Sequence, residues 1–177
     1  LHYAAESGDI PLAEKSLKNK KIEADCVDNF GLTPLFRAVM QNRLEFVSFI
    51  LEKGANPDMQ TREGFTPLMA AAESGNGDIA KLLLEKKANP NLRSMHGSTA
   101  LHIAASHGRN GVISLLLGAG ADRTIRDKTD VKGILEQQTG QEVIMTEGDE
   151  GMLHGLTAIE IAKMCGHEET VKLLKAK

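Results

Sequence analysis

The stretch Gly-Phe-Thr-Pro-Leu at residues 64–68 decides the fold, because closely similar stretches precede and follow it at a constant interval. Gly-Leu-Thr-Pro-Leu occupies residues 31–35 and Gly-Ser-Thr-Ala-Leu occupies residues 97–101, so each copy begins 33 residues after the one before. Repetition at such a period indicates an array of small units stacked side by side. A stacked array offers surface for binding and no obvious pocket for chemistry.

Each unit is predicted to contain two helices. In the unit that starts at Gly64, Thr66 and Pro67 mark a helix start, because the Thr side chain can accept a hydrogen bond from the first turn and Pro there gives up no N–H that the helix needs. Gly75 is predicted to end that helix in a left-handed conformation. A second helix follows, and a polar segment then leads to the next unit. The apolar stripe of the second helix is Ile79, Leu82, Leu83 and Leu84, and the positions equivalent to Gly75 are Gly8, Asn42, Gly108 and Gly166.

Two motifs recur in these units. The first, of the form Thr-Pro-Leu-His-x-Ala-Ala, is matched in part at residues 33–39, 66–72 and 99–105, with shorter copies at 1–5 and 157–162. The second, of the form Gly-Ala-Asp-x-Asn, is matched at residues 54–58 and 120–124. Both motifs resemble the ankyrin repeat. The resemblance implies an all-α ankyrin-repeat solenoid of stacked helix-turn-helix units with β-hairpin-type turns, and it says almost nothing about the ligand.

We predict a single ankyrin-repeat domain over residues 1–177. Its five repeats are expected at residues 1–30, 31–63, 64–96, 97–128 and 155–177, and an insertion is expected at 129–154. The first repeat lacks its beginning and carries one extra residue near Lys20-Lys21. We therefore expect the chain to be the trimmed or ordered part of something longer.

Composition and charge narrow the classes of function. The chain has 177 residues, a net charge of −3 and a pI near 6.1, which argues against a nucleic-acid partner. No apolar run approaches the ~20 residues needed to cross a bilayer, so no membrane insertion is expected. Cys26 and Cys165 lie in the first and last repeats, too far apart for a disulfide, which fits a reducing compartment. The expected location is the cytoplasm or nucleus, or the host cytosol for a bacterial effector.

No combination of residues predicts catalysis, a cofactor or a metal site. His2 and His102 occupy the His position of the first motif, where the resemblance implies a structural role that ties the helix start to neighbouring turns. Ser106 and His107 are neighbours only in sequence, and no third residue can be assigned to orient them. The Cys and His residues lack the short spacing of a zinc site, and Gly118-Ala119-Gly120 lacks the Gly-Lys-Ser/Thr ending of a phosphate loop. We predict that the chain is not an enzyme.

A partner-binding surface is implied by the resemblance, because ankyrin proteins commonly bind through the tips of their turns and the concave face of their first helices. At the tips the predicted residues are Asp28, Asn29, Phe30, Arg62, Glu63, Met95 and His96; on the concave face they are Arg37, Met40, Gln41, Glu73, Ser106 and His107. Phe30 and Met95 stand out, because apolar side chains at a polar tip reduce solubility unless they are used. The alternative is that both side chains fold back against neighbouring turns.

The insertion at 129–154 is the one irregular feature. Insertions in repeat arrays map to loops on one face, often the binding face. Val131, Ile134 and Leu135 have helical spacing, and residues 147–151 are acidic. The alternative is a tolerated surface loop, since long loops cost little stability.

These observations predict a monomeric protein–protein interaction module or scaffold with a rigid, preformed surface that loses little entropy on binding. A regulatory or substrate-targeting domain of a longer enzyme or bacterial effector is the alternative, and a stand-alone enzyme is a third class. The full-length reading frame would discriminate them, because a catalytic domain would have to lie outside this stretch.

Overall fold

The computed structural model describes residues 1–19, 22–128 and 155–176. These ranges contain ten helices and no strand. The helices are α1 (His2–Ser7), α2 (Ile10–Leu17), α3 (Pro34–Met40), α4 (Leu44–Glu52), α5 (Pro67–Ser74), α6 (Gly77–Glu85), α7 (Ala100–Ser106), α8 (Asn110–Gly118), α9 (Ala158–Met164) and α10 (Glu168–Lys175). The predicted all-α solenoid of stacked helix pairs is confirmed.

The helices form two layers. Each odd-numbered helix packs on the even-numbered helix that follows it and on the next odd-numbered helix along the chain. The even-numbered helices from α4 to α10 form the second layer in the same way. Leu35, Leu68 and Leu101 recur at one position of the odd-numbered helices, which we call the inner helices, and are fully buried, as is the alanine three residues after each of them. The small alanines let neighbouring helices approach closely, so the core is continuous through the stack.

Helix starts and ends follow the sequence signals. The hydroxyl of Thr66 accepts the backbone N–H of Met69 at 3.2 Å, and the hydroxyl of Thr33 accepts that of Phe36 at 3.1 Å. The inner helices end at residues with positive φ, among them Gly75 at 77° and the non-glycine Asn42 at 58°. These ends confirm the predicted left-handed caps, and Asn42 shows that asparagine serves where glycine is missing.

Side chains that follow these caps tie each repeat to the one before. The guanidinium Nε of Arg43 donates to the carbonyl oxygen of Glu6 at 2.9 Å, and that of Arg109 donates to the carbonyl oxygen of Glu73 at 3.2 Å. Both acceptors lie at the end of an inner helix, where carbonyl groups have no partner within the helix. The hydrogen bonds therefore cap one helix while they fix the spacing between two repeats.

His102 has the predicted structural role. Its Nδ1 lies 3.2 Å from the backbone nitrogen of Thr99, and its Nε2 lies 2.9 Å from the carbonyl oxygen of Leu156 in the next repeat. His2 makes the equivalent contact to the carbonyl oxygen of Leu32 at 2.8 Å. Both histidines thus connect the start of one inner helix to the turn that precedes the next.

The predicted insertion joins the fold at the tip of a turn. The N–H of Asp127 donates to the carbonyl oxygen of Leu156 at 3.0 Å, and the N–H of Leu156 donates to Oδ1 of Asp127 at 2.7 Å. Asp28 and Leu32 pair identically, both at 3.0 Å, across an uninterrupted tip. The helical spacing of Val131, Ile134 and Leu135, the acidic residues 147–151 and the extra residue near Lys20-Lys21 fall outside the described residues.

Candidate partner-binding groove

The turns that precede the inner helices form a row of tips. A backbone hydrogen bond closes each one, from Thr61 to Phe65 at 2.9 Å and from Ser94 to Ser98 at 2.9 Å. A Cβ on Gly64 would lie 3.0 Å from the backbone nitrogen of Met95, so adjacent tips touch through their main chains. A further hydrogen bond runs from the Met95 N–H to the Glu63 carbonyl at 2.9 Å. The row is therefore held rigidly, as a preformed binding surface requires.

An open groove of about 490 Å³ lies between the tips of the second and third repeats and the helices that follow them. Five apolar side chains line it, together with the polar residues Thr61, Arg62, Glu63 and Glu73. The apolar residues are Phe30, Leu32, Phe36, Met40 and Phe65. Phe30 is 71% exposed and Met40 is 58% exposed, so apolar surface remains in contact with water. Exposed apolar surface with a polar edge is the usual mark of an interaction site.

The structure brings five of the predicted partner-binding residues together in this groove: Phe30, Met40, Arg62, Glu63 and Glu73. Asn29 and Gln41 are exposed beside it, and Met95 and His96 are exposed on the next tip. Ser106 and His107 lie two repeats further on, at the end of α7. Met95 is 61% exposed and Phe30 is more so, which contradicts the alternative that both side chains fold back against neighbouring turns.

Asp28 and Arg37 are engaged within the chain. The guanidinium of Arg37 donates to Oδ2 of Asp28 from Nε at 2.6 Å and forms a second ion pair with Glu6 of the preceding repeat. The same guanidinium lies 5.8 Å from the ring centroid of Phe30, within cation–π range. Asp28 also accepts the N–H of Phe30 at 2.8 Å. Asp28 and Arg37 therefore make contacts within the chain, to each other, to Glu6 and to Phe30.

This network lowers the pKa of the Asp28 carboxyl group. Burial by itself would raise its pKa, but hydrogen bonds from the Leu32 N–H, the Arg37 guanidinium and the Phe30 N–H favour the carboxylate. The net result is a pKa below the usual value for Asp. The network therefore favours the ionised form of Asp28.

The expectation that Ser106 and His107 are neighbours only in sequence is wrong, because their side chains are in contact. Oγ of Ser106 lies 3.0 Å from Nδ1 of His107, but both atoms also contact the carbonyl oxygen of Ile103, at 2.8 Å and 3.0 Å. These contacts place the two side chains on the backbone of α7. Across residues 1–19, 22–128 and 155–176, no group of three or more His, Cys, Asp or Glu side chains could hold a metal ion. In the same ranges, no helix has the length and apolar character to cross a membrane.

Comparison with known sequences decides the family. A family model for ankyrin repeats in three copies matches residues 1–94, and a model for the single ankyrin repeat matches residues 96–128. The chain belongs to the ankyrin-repeat family. It is also 44% identical over 61 residues to the human transient receptor potential cation channel subfamily A member 1, a match that covers 34% of this chain. The matched segment spans only 6% of the length of that curated relative.

A further helix pair extends this ankyrin array beyond the residues that the family models match. Helices α9 and α10 pack on α7 and α8 as the earlier pairs pack on one another. Thr157 caps α9 with a hydroxyl that accepts the N–H of Glu160 at 3.4 Å, and Gly166 follows with φ of 73°. The same local signals therefore produce the same stacking where the family pattern is weaker.

Four groove residues are missing from the set of residues predicted to bind a partner: Leu32, Phe36, Thr61 and Phe65. Phe36 stands where the ankyrin pattern has a histidine, and it is almost fully buried at the base of the groove. Phe65 precedes the capping Thr66 and packs partly against the core. For Phe36, the signal available in the sequence was the replacement of the motif's histidine by phenylalanine. A phenylalanine ring has no hydrogen-bonding groups, so at this position it can serve only packing.

Proposed function

We propose that this ankyrin array binds a protein partner through the groove between the second and third repeats and through the neighbouring turn tips. The groove carries the proposal, because Phe30 and Met40 present apolar surface to water at a place where the tip sequence is otherwise polar. Burying such surface is the dominant favourable term in association. Aromatic side chains are also the most frequent energetic centres of protein interfaces.

The internal network of Arg37 supports the proposal. A flexible Phe30 side chain would lose conformational entropy on binding, whereas the contact with Arg37 and the hydrogen bond from its own N–H to Asp28 already restrict it. Ala70 on α5 is small and only partly buried, which leaves further room beside the groove for a partner side chain.

We further propose that the array acts as a monomer, without catalytic activity of its own. The cytoplasm or nucleus, or the host cytosol for a bacterial effector, remains the proposed location. The free cysteines Cys26 and Cys165 are compatible with a reducing compartment.

A paired substitution tests the proposed function. A partner would first be captured from a lysate with the unmodified array and identified by mass spectrometry. The double variant Phe30→Ser with Met40→Ser should then weaken its binding by at least about tenfold, since both changes remove apolar contact area. Isothermal titration would measure the affinity, and circular dichroism would verify that helicity is unchanged.

The control is Lys81→Ala on α6, whose side chain is exposed and lies 4.0 Å from Glu85. It should leave the affinity unchanged. Arg37→Ala is unsuitable as a binding test, because it leaves Glu6 and Asp28 without their counterion. Loss of binding in the Lys81 variant with retention in the double variant would assign the partner to the opposite face.

A further inference from the structure

We propose that the groove selects a partner segment that presents an apolar side chain beside a lysine or arginine. This inference rests on the proposed function and adds the chemistry of the partner. The apolar part follows from the lining of Phe30, Phe36, Met40 and Phe65. The basic part follows from the charges of the same groove.

Glu63 and Glu73 are the two carboxylates that line the groove. Both residues are exposed, and within the described ranges neither forms a salt bridge. The other acidic residues near this face, Glu6 and Asp28, are already paired with Arg37. The groove therefore presents two carboxylates that are not held in salt bridges, beside an apolar surface.

Arg62 is the single cation among the residues that line this groove. Its Cγ would lie 3.0 Å from a Cβ built on Gly31, so its alkyl chain packs along the preceding tip. The lining thus carries two negative charges against one positive charge. An acidic segment would meet net repulsion there, whereas a lysine or arginine would gain favourable interaction with either carboxylate.

The charge of the groove also argues against occupation by the chain's own insertion. Residues 129–154 contain six acidic residues and one lysine. A segment of that composition would place further negative charge beside Glu63 and Glu73. A separate partner with a basic segment fits the groove better by charge.

A selection from random peptides tests the inference. A phage-displayed library would be panned on the immobilised array, and clones that also bind the Phe30→Ser, Met40→Ser variant would be discarded. The retained peptides should be enriched in an apolar residue next to lysine or arginine. One synthesised peptide would then be titrated by fluorescence anisotropy.

The double variant Glu63→Gln with Glu73→Gln should weaken that peptide by roughly three- to tenfold at low salt, and added salt should reduce the difference. The matched control is Glu52→Gln on α4, an exposed carboxylate outside the groove, which should leave the affinity unchanged. Charge reversal with Glu63→Lys and Glu73→Lys should shift a repeated selection towards acidic peptides. Circular dichroism of each variant verifies the fold.

The outcomes separate the two proposals. If no peptide distinguishes the unmodified array from the Phe30→Ser, Met40→Ser variant, the groove is not the binding site and the proposed function fails. If peptides depend on Phe30 and Met40 but lack basic residues, or ignore the loss of both carboxylates, the inference on partner chemistry fails and the binding function stands. Tighter peptide binding after removal of residues 129–153 would make the insertion the occupant and overturn the inference.

Discussion

At the scale of single residues, the hydrogen bonds of His102 determine which of its ring nitrogens carries the proton. A backbone N–H can only donate and a carbonyl oxygen can only accept, so the contacts to Thr99 and Leu156 fix the proton on Nε2 and leave Nδ1 as the acceptor. Burial lowers the pKa of this histidine, and the nearby charge of Asp127 opposes that effect in part. The folded state therefore holds His102 neutral.

The lowered pKa of His102 predicts that the stability of the fold depends on pH. Because the folded-state pKa lies below that of the unfolded chain, the unfolded chain takes up the proton first as the pH falls. The contribution of neutral His102 to the free energy of unfolding should be fully present above about pH 6.5, the unfolded-state pKa. It should decrease as the pH falls through that value. Urea unfolding at about pH 7.5 and about pH 5.5 would measure the loss.

The variant His102→Gln should show a smaller difference between the two pH values than the unmodified chain, although it is less stable at both. His96→Gln on an exposed tip serves as the control and should keep the full difference. An identical pH dependence in the His102 variant and the unmodified chain would contradict the assignment.

Gly155 offers a second test at this scale. Its φ is 79°, and an added Cβ would lie 1.8 Å from the carbonyl oxygen of Asp127, a backbone atom that cannot move aside alone. Gly155→Ala should therefore lower the free energy of unfolding by about 2–4 kcal/mol, from strain and from loss of the Asp127–Leu156 pairing. Chemical denaturation would measure the change.

Gly111→Ala is the matched comparison. Gly111 lies in α8, and nothing lies within 4 Å of a Cβ added there. It should raise the free energy of unfolding by about 0.5–1 kcal/mol, because alanine favours the helix. Equal effects of the two substitutions would mean that the turn around Gly155 is not closed.

At the scale of helices and turns, local signals made the fold predictable while the groove was only partly so. Thr-Pro starts and glycine ends act within a few residues of themselves, so their effect can be deduced from the sequence. The pairing of Arg37 with Glu6 joins residues 31 positions apart, and it depends on how two repeats stack. The sequence therefore carried no sign of the ion pair between Asp28 and Arg37, and their contact with a partner stays a prediction.

The inner helices tolerate charge poorly. Ala71 on α5 is fully buried between neighbouring helices. Ala71→Glu should lower the free energy of unfolding by about 3 kcal/mol or more, because it buries a carboxylate without a partner. Thermal melts followed by circular dichroism should show the loss. Ala119→Glu, on an exposed helix end, should lower the free energy of unfolding by less than about 1 kcal/mol, the cost of a carboxylate beside a helix C-terminus.

At the scale of the whole molecule, the array is a line of similar units with one interruption. Removal of residues 129–153 would leave Asp127-Lys128-His154-Gly155-Leu156, which has the same form as the tip Asp28-Asn29-Phe30-Gly31-Leu32. The variant should fold, with stability unchanged or higher by at most about 2 kcal/mol, because loop closure costs less entropy in a short turn. Thermal melting would measure the change.

Loss of cooperative melting in this variant would mean that the deleted residues pack on the array as part of its core. The measurement is made on the same preparation used for peptide titration, so stability and binding can be compared directly. A large loss of partner affinity with intact melting would assign the insertion a role in binding.

The reciprocal hydrogen bonds of Asp127 and Leu156 close the turn on either side of residues 129–154. The pairing holds the two ends of residues 129–154 at the positions that an uninterrupted tip has, so we expect that a stretch of another length or composition could be accommodated there in the same register. Lineages could lengthen, shorten or replace it without re-evolving the scaffold. For the same reason, this tip is the place where an engineer could graft a foreign epitope or a second binding element.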